Sequence, residues 1–181
     1  MSKVEKKKEP GVVTLVLVLA VISLVMAFLL GLVNKVTYPA IQENTQKKIE
    51  SAMQLVLPTE NYIDMEYTGD DPLVTAVYEA EGEGYVIQVA PSGFSGAIDM
   101  MVGITSDGTV SGIEIIAHAE TSGLGANAEK PEWRAQFVGA TDDVNVTKDG
   151  GTIESITGST ITSRAVCVGV NAARAVAASM E

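Results

Sequence analysis

A group of hydroxyl side chains around one glycine is the part of this sequence with the clearest chemical potential. Residues 154–163 read ESITGSTITS, and a helix of small residues is predicted to follow, from Ser163 or Arg164 to Ser179. The first N–H groups of a helix are unpaired and carry a partial positive charge, so this segment suits a phosphate group. Gly158 allows close approach to a ligand, and the Thr160 hydroxyl is predicted to face it.

An ordinary helix cap is the simpler interpretation of the same residues. Thr162 or Ser163 would then accept hydrogen bonds from the first backbone N–H groups, and the remaining hydroxyls would form a polar loop. Composition alone leaves both interpretations open.

The order of these residues resembles a flavin attachment motif, acidic-x-x-Ser/Thr-Gly-Ala-Thr-x-Thr/Ser. The sequence has Glu154 where Asp is usual and Ser159 where Ala is usual. The motif belongs to the FMN-binding subunits of the Rnf complex and of the sodium-pumping NADH:quinone oxidoreductase, in which a flavin transferase attaches FMN to threonine through a phosphoester. The resemblance implies that Thr160 carries covalent FMN. It also assigns cofactor-binding roles to its neighbours in the motif: Thr157, Gly158, Ser159 and Thr162.

A second segment resembles the same family. Residues 118–125 read HAETSGLG, which is similar to the family's H-x-E-T-P-G-L-G segment with Ser122 in place of Pro. Glycines let backbone N–H groups approach ring or phosphate oxygens, Thr121 can donate a hydrogen bond, and Leu124 can cover an apolar ring face. The cofactor-binding residues predicted here are Glu120, Thr121, Gly123, Leu124 and Gly125.

Other motifs in the chain are interpreted as structural. Trp133 and Phe137 lie at helical spacing, as in the family's W-x-x-x-F segment, and are expected to pack in the core. Residues 91–96 form a Gly-aromatic-x-Gly segment that predicts a surface turn. Residues 123–128 fit the dinucleotide pattern G-x-G-x-x-A, but Pro131 interrupts the helix that such a site needs. A dinucleotide site is therefore rejected.

The N-terminal part of the sequence predicts a membrane anchor. Residues 12–33 are an uncharged run of 22 residues, which as a helix is about 33 Å long and can span a bilayer. A cleaved signal peptide is the alternative, but its apolar region is shorter and precedes a small-residue cleavage site. Four lysines within residues 1–11 predict a cytoplasmic tail and an extracytoplasmic C-terminal domain. The expected location is the cell (inner) membrane, crossed once.

Charge and single residues exclude several classes of function. Residues 34–181 carry eight Lys or Arg and 21 Asp or Glu, a net charge of −13, which argues against binding to nucleic acid. Cys167 is the only cysteine and His118 the only histidine. A disulfide, a zinc cluster and a multi-histidine metal site therefore cannot form within this chain, and Cys167 is expected to be a buried small hydrophobe.

The remaining pattern predicts an α+β domain. A juxtamembrane helix is expected over residues 34–58, with Pro39 in its first turn. Strands are expected over residues 75–80, 85–90, 98–105 and 110–117, and a further short one at 152–153. Because the strands come in hairpins, the sheet is expected to be mostly antiparallel with packed helices. Residues 59–181 are the predicted extracytoplasmic FMN-binding domain.

The resemblance as a whole is to the G subunit of the Rnf complex, and it implies an electron-transfer subunit with covalent FMN. Such a complex couples electron flow between ferredoxin and NAD to sodium or proton translocation. The chain would be one component of this oxidoreductase, without a complete active site. The implied partners are other membrane and peripheral subunits, the membrane, and a flavin transferase that takes FMN from FAD with magnesium. The alternatives are a membrane-anchored FMN domain of another reductase or regulatory system, and a non-flavin structural subunit.

Overall fold

The computed structural model describes residues 11–180 and divides the chain into two compact units, with the boundary after Asn44. The predicted cytoplasmic tail lies outside the described residues, except for Gly11. Helix α1 spans Val12–Val56. It is the one helix among residues 11–180 that is long and apolar enough to cross a membrane, with a mean hydropathy of 3.1 over 18 residues. The side chains of residues 12–33 are exposed along the whole run.

Helix α1 continues through Pro39, where the sequence predicted that a separate helix begins. A proline inside a helix removes one backbone hydrogen bond. In the same part of the helix, one turn apart, Gln42 Nε2 donates to Tyr38 Oη over 2.9 Å. The predicted boundary between a membrane helix and a juxtamembrane helix therefore has no break in the backbone to mark it. The extent of the membrane span stays a prediction.

The second unit is built on a five-stranded antiparallel sheet, in which the spatial order of the strands is their order in the chain. The prediction of an α+β fold with antiparallel pairing is confirmed. Four strands match the predicted ones closely, whereas the first was not predicted. Residue 153 forms only an isolated bridge with Val146. The strands are β1 (Tyr62–Met65), β2 (Val74–Ala80), β3 (Gly84–Val89), β4 (Asp99–Thr105) and β5 (Val110–Ala117).

Each face of the sheet is covered by apolar side chains of a helix. The alternation of side chains along a strand sends Val102 to one face and Met101 to the other. The first face packs against helix α3 (Thr160–Met180), through residues such as Val166 and Val170. The opposite face packs against the C-terminal end of α1 and the residue after it, through Ala52, Met53, Val56 and Leu57. The core that holds α3 in place therefore also fixes where its first turn lies.

Phe137 and Phe94 provide a matched test of the core. Phe137 is 0% exposed and Phe94 is 70% exposed. We expect Phe137→Ala to lower the free energy of unfolding by about 3–5 kcal/mol, because it leaves a cavity in a packed core. Phe94→Ala should change it by no more than about 0.5 kcal/mol. Urea unfolding of the detergent-solubilised chain, followed by circular dichroism, measures both. Equal effects would contradict the core described above.

Candidate functional site

Helix α3 begins at Thr160, about one turn earlier than predicted, so the last residues of the hydroxyl-rich segment form its first turn. Gly158 has a φ of +78°, a backbone conformation that favours glycine, and it turns the chain into the helix. The carbonyl of Ser159 then accepts the first helical hydrogen bond, from the N–H of Ser163 at 3.1 Å. The Ser163 hydroxyl donates to the same carbonyl and accepts the Ile156 N–H, both over 3.0 Å.

The prediction that Thr162 or Ser163 caps the helix is therefore wrong. Both residues lie inside α3 and are buried, with 1% and 0% of their surface exposed. Their hydroxyls make structural hydrogen bonds that hold the first turn against the rest of the domain. Thr160 is different, because it is the first residue of the helix and is only half-buried. Its hydroxyl oxygen accepts a hydrogen bond from Lys148 Nζ at 2.9 Å.

Glu120 connects three separate segments of the site. Its side chain is buried, yet both carboxylate oxygens are satisfied. Oε2 accepts the Thr162 hydroxyl at 2.5 Å, and Oε1 accepts the Ser95 N–H at 2.9 Å. Burial raises the pKa of the Glu120 carboxyl, but the hydrogen bonds from Thr162, Ser95 and Phe94 and the nearby His118 outweigh it, so the net pKa lies below its usual value. A charged Glu120 therefore holds the two predicted segments and the 93–96 turn together.

This arrangement predicts an acid-sensitive part of the stability. Because the pKa of Glu120 is lower in the folded protein, its contribution is present above the unfolded pKa, about 4.3, and is lost as the pH falls through the folded value. We expect Glu120→Gln to cost about 1–3 kcal/mol of unfolding free energy at pH 7. The difference from wild type should shrink as the pH falls through the lowered pKa of Glu120, because the wild-type carboxyl then becomes protonated as well.

Urea unfolding at several pH values measures this difference. Glu132→Gln is the control, because Glu132 is an exposed glutamate of helix α2 (Pro131–Arg134). A Glu120→Gln deficit that stays constant from pH 7 to pH 3 would contradict the assignment of a charged carboxylate.

A cavity of about 370 Å³ lies at this junction. Three of its lining side chains are apolar and exposed: Phe94, Leu124 and Ile161, with exposed fractions of 70%, 44% and 51%. Exposed apolar side chains grouped around a concave site indicate a surface that another molecule covers. The Thr160 hydroxyl and the Lys148 ammonium supply the polar part of the wall. The other lining residues are Glu120, Thr121, Gly125, Gly158, Ser159 and Thr162.

The cavity brings together most of the residues that the sequence singled out. Thr157 and Gly123 are exceptions, because they line a separate, more open groove on the far side of Leu124. The lining residues predicted by sequence are Glu120, Thr121, Leu124, Gly125, Gly158, Ser159, Thr160 and Thr162. Whether these residues contact a flavin stays a prediction.

Three lining residues were not predicted as site residues. Phe94 was assigned to a surface turn, and its position in a Gly-aromatic-x-Gly segment was the only signal available. Ile161 follows Thr160 directly in the first turn of α3 and lines the cavity. It was not predicted, because the helix was expected to begin after it. Lys148 had no sequence signal, since it lies in a short 3₁₀ turn, Thr147–Asp149, twelve residues from its partner.

Phe137, Trp133 and Cys167 pack in or against the core, as predicted. Phe137 is fully buried, and Trp133 packs edge-on against it with ring centroids 5.2 Å apart. Trp133 Nε1 donates to the Glu154 carbonyl over 2.7 Å, which fastens the start of the hydroxyl-rich segment. Cys167 is buried, and burial raises the pKa of its thiol to about 11. Among the described residues, no group of His, Cys, Asp and Glu is placed to hold a metal ion.

Comparison with known proteins identifies the domain and the family. Residues 93–175 match the FMN-binding domain family. The chain is 35% identical to the G subunit of the ion-translocating oxidoreductase complex of Vibrio cholerae serotype O1, over 87% of this chain and 86% of that protein. It is 38% identical to the G subunit of the Na(+)-translocating ferredoxin:NAD(+) oxidoreductase complex of Acetobacterium woodii, over 86% of each. The corresponding protein of Methanosarcina acetivorans, also the G subunit of an ion-translocating oxidoreductase complex, is 34% identical, over 83% and 86%.

The site and these similarities coincide. The cavity residues from Phe94 to Thr162 all lie within the matched domain, and the similarity to the three relatives extends over most of the chain. The chain therefore belongs to the family of G subunits of ion-translocating oxidoreductase complexes and contains an FMN-binding domain.

Proposed function

We propose that this chain is the electron-transfer subunit of an ion-translocating ferredoxin:NAD oxidoreductase complex and that Thr160 carries its FMN covalently. The observation that supports this most directly is the position of the Thr160 hydroxyl. It lies in the wall of a cavity with a cation beside it, and three exposed apolar side chains belong to the same lining. This arrangement matches a ligand that has an anionic end and a large apolar ring.

The residues present fit such a group. Cavities that hold small molecules are typically about 300–1,000 Å³ and mostly apolar, with a few placed polar groups, and this cavity falls in that range. Lys148 and the unpaired N–H groups at the start of α3 suit a phosphate. Phe94, Leu124 and Ile161 suit the faces of a ring. When bound, FMN supplies reversible electron storage, which no side chain of this protein can provide.

The protein's own residues would hold and orient the group. Thr160 would fix the phosphate end by a covalent bond, so the cofactor cannot dissociate. Leu124 and Phe94 would exclude water from a ring face. Glu120 would hold the two loops and the helix start in fixed relative positions, because its carboxylate accepts hydrogen bonds from both the Thr162 hydroxyl and the Ser95 N–H.

Attachment would be carried out by a separate flavin transferase, with FAD as the donor and magnesium as the metal. The Thr160 oxygen would attack the phosphorus on the FMN side of FAD. One phosphorus–oxygen bond forms, the bond to the AMP leaving group breaks, and the hydroxyl proton is released. Positioning and electrostatic stabilisation dominate such phosphoryl transfers.

Membrane attachment through α1 completes the proposal. The apolar residues 12–33 would span the cell membrane, with the lysine-rich N-terminus in the cytoplasm and the FMN-binding domain outside. A tethered cofactor suits that side, because a dissociable one would be lost to the surroundings. The names of its relatives indicate a subunit of a multi-subunit complex, and we expect the partners of this chain to include both membrane and peripheral subunits.

The test is the intact mass of the full-length chain produced with and without a flavin transferase. We expect a gain of one FMN less one water with the transferase, mapped by peptide mass to residues 154–163. Isolation under mild detergent should then recover the other subunits of the complex. A colourless chain, with the transferase active on another substrate, would favour a structural subunit. A labelled chain without those subunits would favour an FMN domain of another system.

A further inference from the structure

One ammonium group lies directly beside the hydroxyl of Thr160. Lys148 is exposed at the surface and donates its hydrogen bond to Thr160 Oγ1 over 2.9 Å. Its position is fixed by the turn Thr147–Asp149, which ends at Gly150 in the left-handed conformation, with φ +86°. Among the cavity-lining residues that the structure describes, Lys148 is the one with a positive charge and Glu120 the one with a negative charge.

The neighbouring cation is already neutralised. Arg164, one turn further along α3, makes two hydrogen bonds to the carboxylate of Asp149, at 2.6 Å and 2.7 Å. Its side chain lines a different depression, on the side of Pro91 and Val168. Lys148, by contrast, directs its ammonium at a neutral hydroxyl inside the cavity. Lys148 also lies close enough to Asp149 to help lower the pKa of that carboxyl, but Asp149 makes its hydrogen bonds to Arg164. Among the cavity-lining residues, Lys148 therefore supplies the positive charge next to Thr160.

We infer that Lys148 is the cationic residue of the attachment step and afterwards the partner of the attached phosphate. This role rests on the proposed attachment at Thr160. Because Oγ1 accepts a hydrogen bond from the ammonium, the threonine proton points away from Lys148, toward the solvent or a transferase base. A small rotation then moves one N–H of the ammonium onto a phosphoryl oxygen.

The charges balance in the product. The new phosphodiester carries one negative charge, and the Lys148 ammonium supplies one positive charge next to it. The step changes no oxidation state: the bond from Oγ1 to phosphorus forms, AMP leaves, and the hydroxyl proton is released. A charge-assisted hydrogen bond to a phosphate oxygen is stronger in the transition state, where negative charge develops, than in the starting state.

The first experiment measures the rate of FMN attachment. Purified full-length chain in detergent is mixed with transferase, FAD and Mg²⁺, and the flavin fluorescence of the chain is followed after denaturing electrophoresis. Lys148→Met should slow attachment by about tenfold to a hundredfold. Lys148→Arg keeps the charge and should remain within about fivefold of wild type. Lys130→Met is the control, because Lys130 is exposed and lines the neighbouring groove instead.

A chemical rescue separates charge from structure. In Lys148→Cys the new thiol is exposed, whereas the native Cys167 is 2% exposed and its thiol pKa is raised to about 11. Alkylation with 2-bromoethylamine therefore modifies position 148 selectively and restores an ammonium there. We expect this product to recover most of the wild-type rate. Alkylation with iodoacetamide restores bulk without charge and should leave the rate low.

Two results would overturn this role for Lys148. One is a Lys148→Met chain that is labelled as fast as wild type. The other is a slow variant that neither arginine nor aminoethylation improves. Failure of the wild-type chain to take up FMN at all would instead overturn the proposed function, so the two conclusions can be distinguished. In the labelled protein, the ³¹P resonance of the phosphodiester should shift between wild type and Lys148→Met.

Discussion

Full-length chain with Thr160→Val, produced together with a flavin transferase, is expected to contain no covalent FMN. Valine keeps the β-branched shape of threonine at the first residue of α3 but has no oxygen to form the phosphoester. The effect should be complete, because the other hydroxyls of the segment are placed differently: Ser155 and Thr157 line the neighbouring groove, and Ser159 is only 7% exposed. Those of Thr162 and Ser163 are buried and engaged, with Glu120 and with the Ser159 carbonyl. Intact mass and fluorescence after denaturing electrophoresis measure the result.

A conservative variant and a control variant test whether the Thr160 hydroxyl itself is required for labelling. Thr160→Ser retains the hydroxyl and should still be labelled, at a reduced rate because serine has more rotamer freedom. Thr152→Val removes an exposed hydroxyl that lines the neighbouring groove, and it should be labelled like wild type. Covalent FMN on Thr160→Val, or loss of labelling in Thr152→Val as well, would contradict the assignment of Thr160.

The second large effect is expected at Gly125, whose backbone lies against the carboxylate of Glu120. A Cβ added at Gly125 would lie 2.8 Å from both Glu120 Cβ and Thr162 Oγ1, and closer still to Glu120 Oε2. Real Cβ atoms do not approach so closely, so the carboxylate and the hydroxyl must separate. We expect Gly125→Ala to cost about 1–3 kcal/mol of unfolding free energy and to slow FMN attachment at least about tenfold.

Gly112→Ala is the matched control for this change. A Cβ at Gly112 would meet its nearest atom, Val56 Cα, at 3.4 Å, an ordinary van der Waals distance. It lies in strand β5 and outside the cavity. We expect normal labelling and a change in unfolding free energy below about 1 kcal/mol. The same loss of labelling in both variants would show that general destabilisation, and not the contact with Glu120, controls attachment.

The sequence was most informative where structure is local. The predicted hairpins are confirmed, and the turns between β2 and β3 and between β4 and β5 contain Gly82 and Gly108, both in the left-handed conformation with φ +79°. Strands β2 to β5 were predicted from the sequence, and their alternating side chains pack on the two faces of the sheet. The start of α3 was placed one turn late, because Ser and Thr are typical of caps and only the buried hydrogen bonds of Ser163 place it inside the helix.

Contacts between distant segments could not be derived from the residues alone. Glu120 and Thr162 are 42 positions apart, and each was selected by motif without any sign that they bond to each other. Lys148 lies on a turn whose sequence carries no motif, and its place beside Thr160 depends on how residues 141–153 fold along α3. Strand β1 is four residues long and only partly buried, so its sequence has too few inward-facing positions for alternation to be recognised.

The structure divides the hydroxyls at the start of α3 into two groups. Ser163 and Thr162 have structural roles, which is what a simple helix start requires. Thr160 lines the cavity and also accepts a hydrogen bond from a cation, Lys148. The hydroxyls that hold the helix start in place are therefore not the hydroxyl that we propose for modification.

The packing of Ala52, Met53, Val56 and Leu57 beneath the sheet has a practical consequence for anyone who wishes to study the domain without its anchor. A fragment that starts at residue 59 lacks these four residues, so Val86, Met101 and Ile116 would be exposed to water. An exposed apolar face of this kind favours aggregation. A soluble fragment should instead begin near Thr45, where the second compact unit starts. The last three turns of the anchoring helix thus belong, by packing, to the flavin domain.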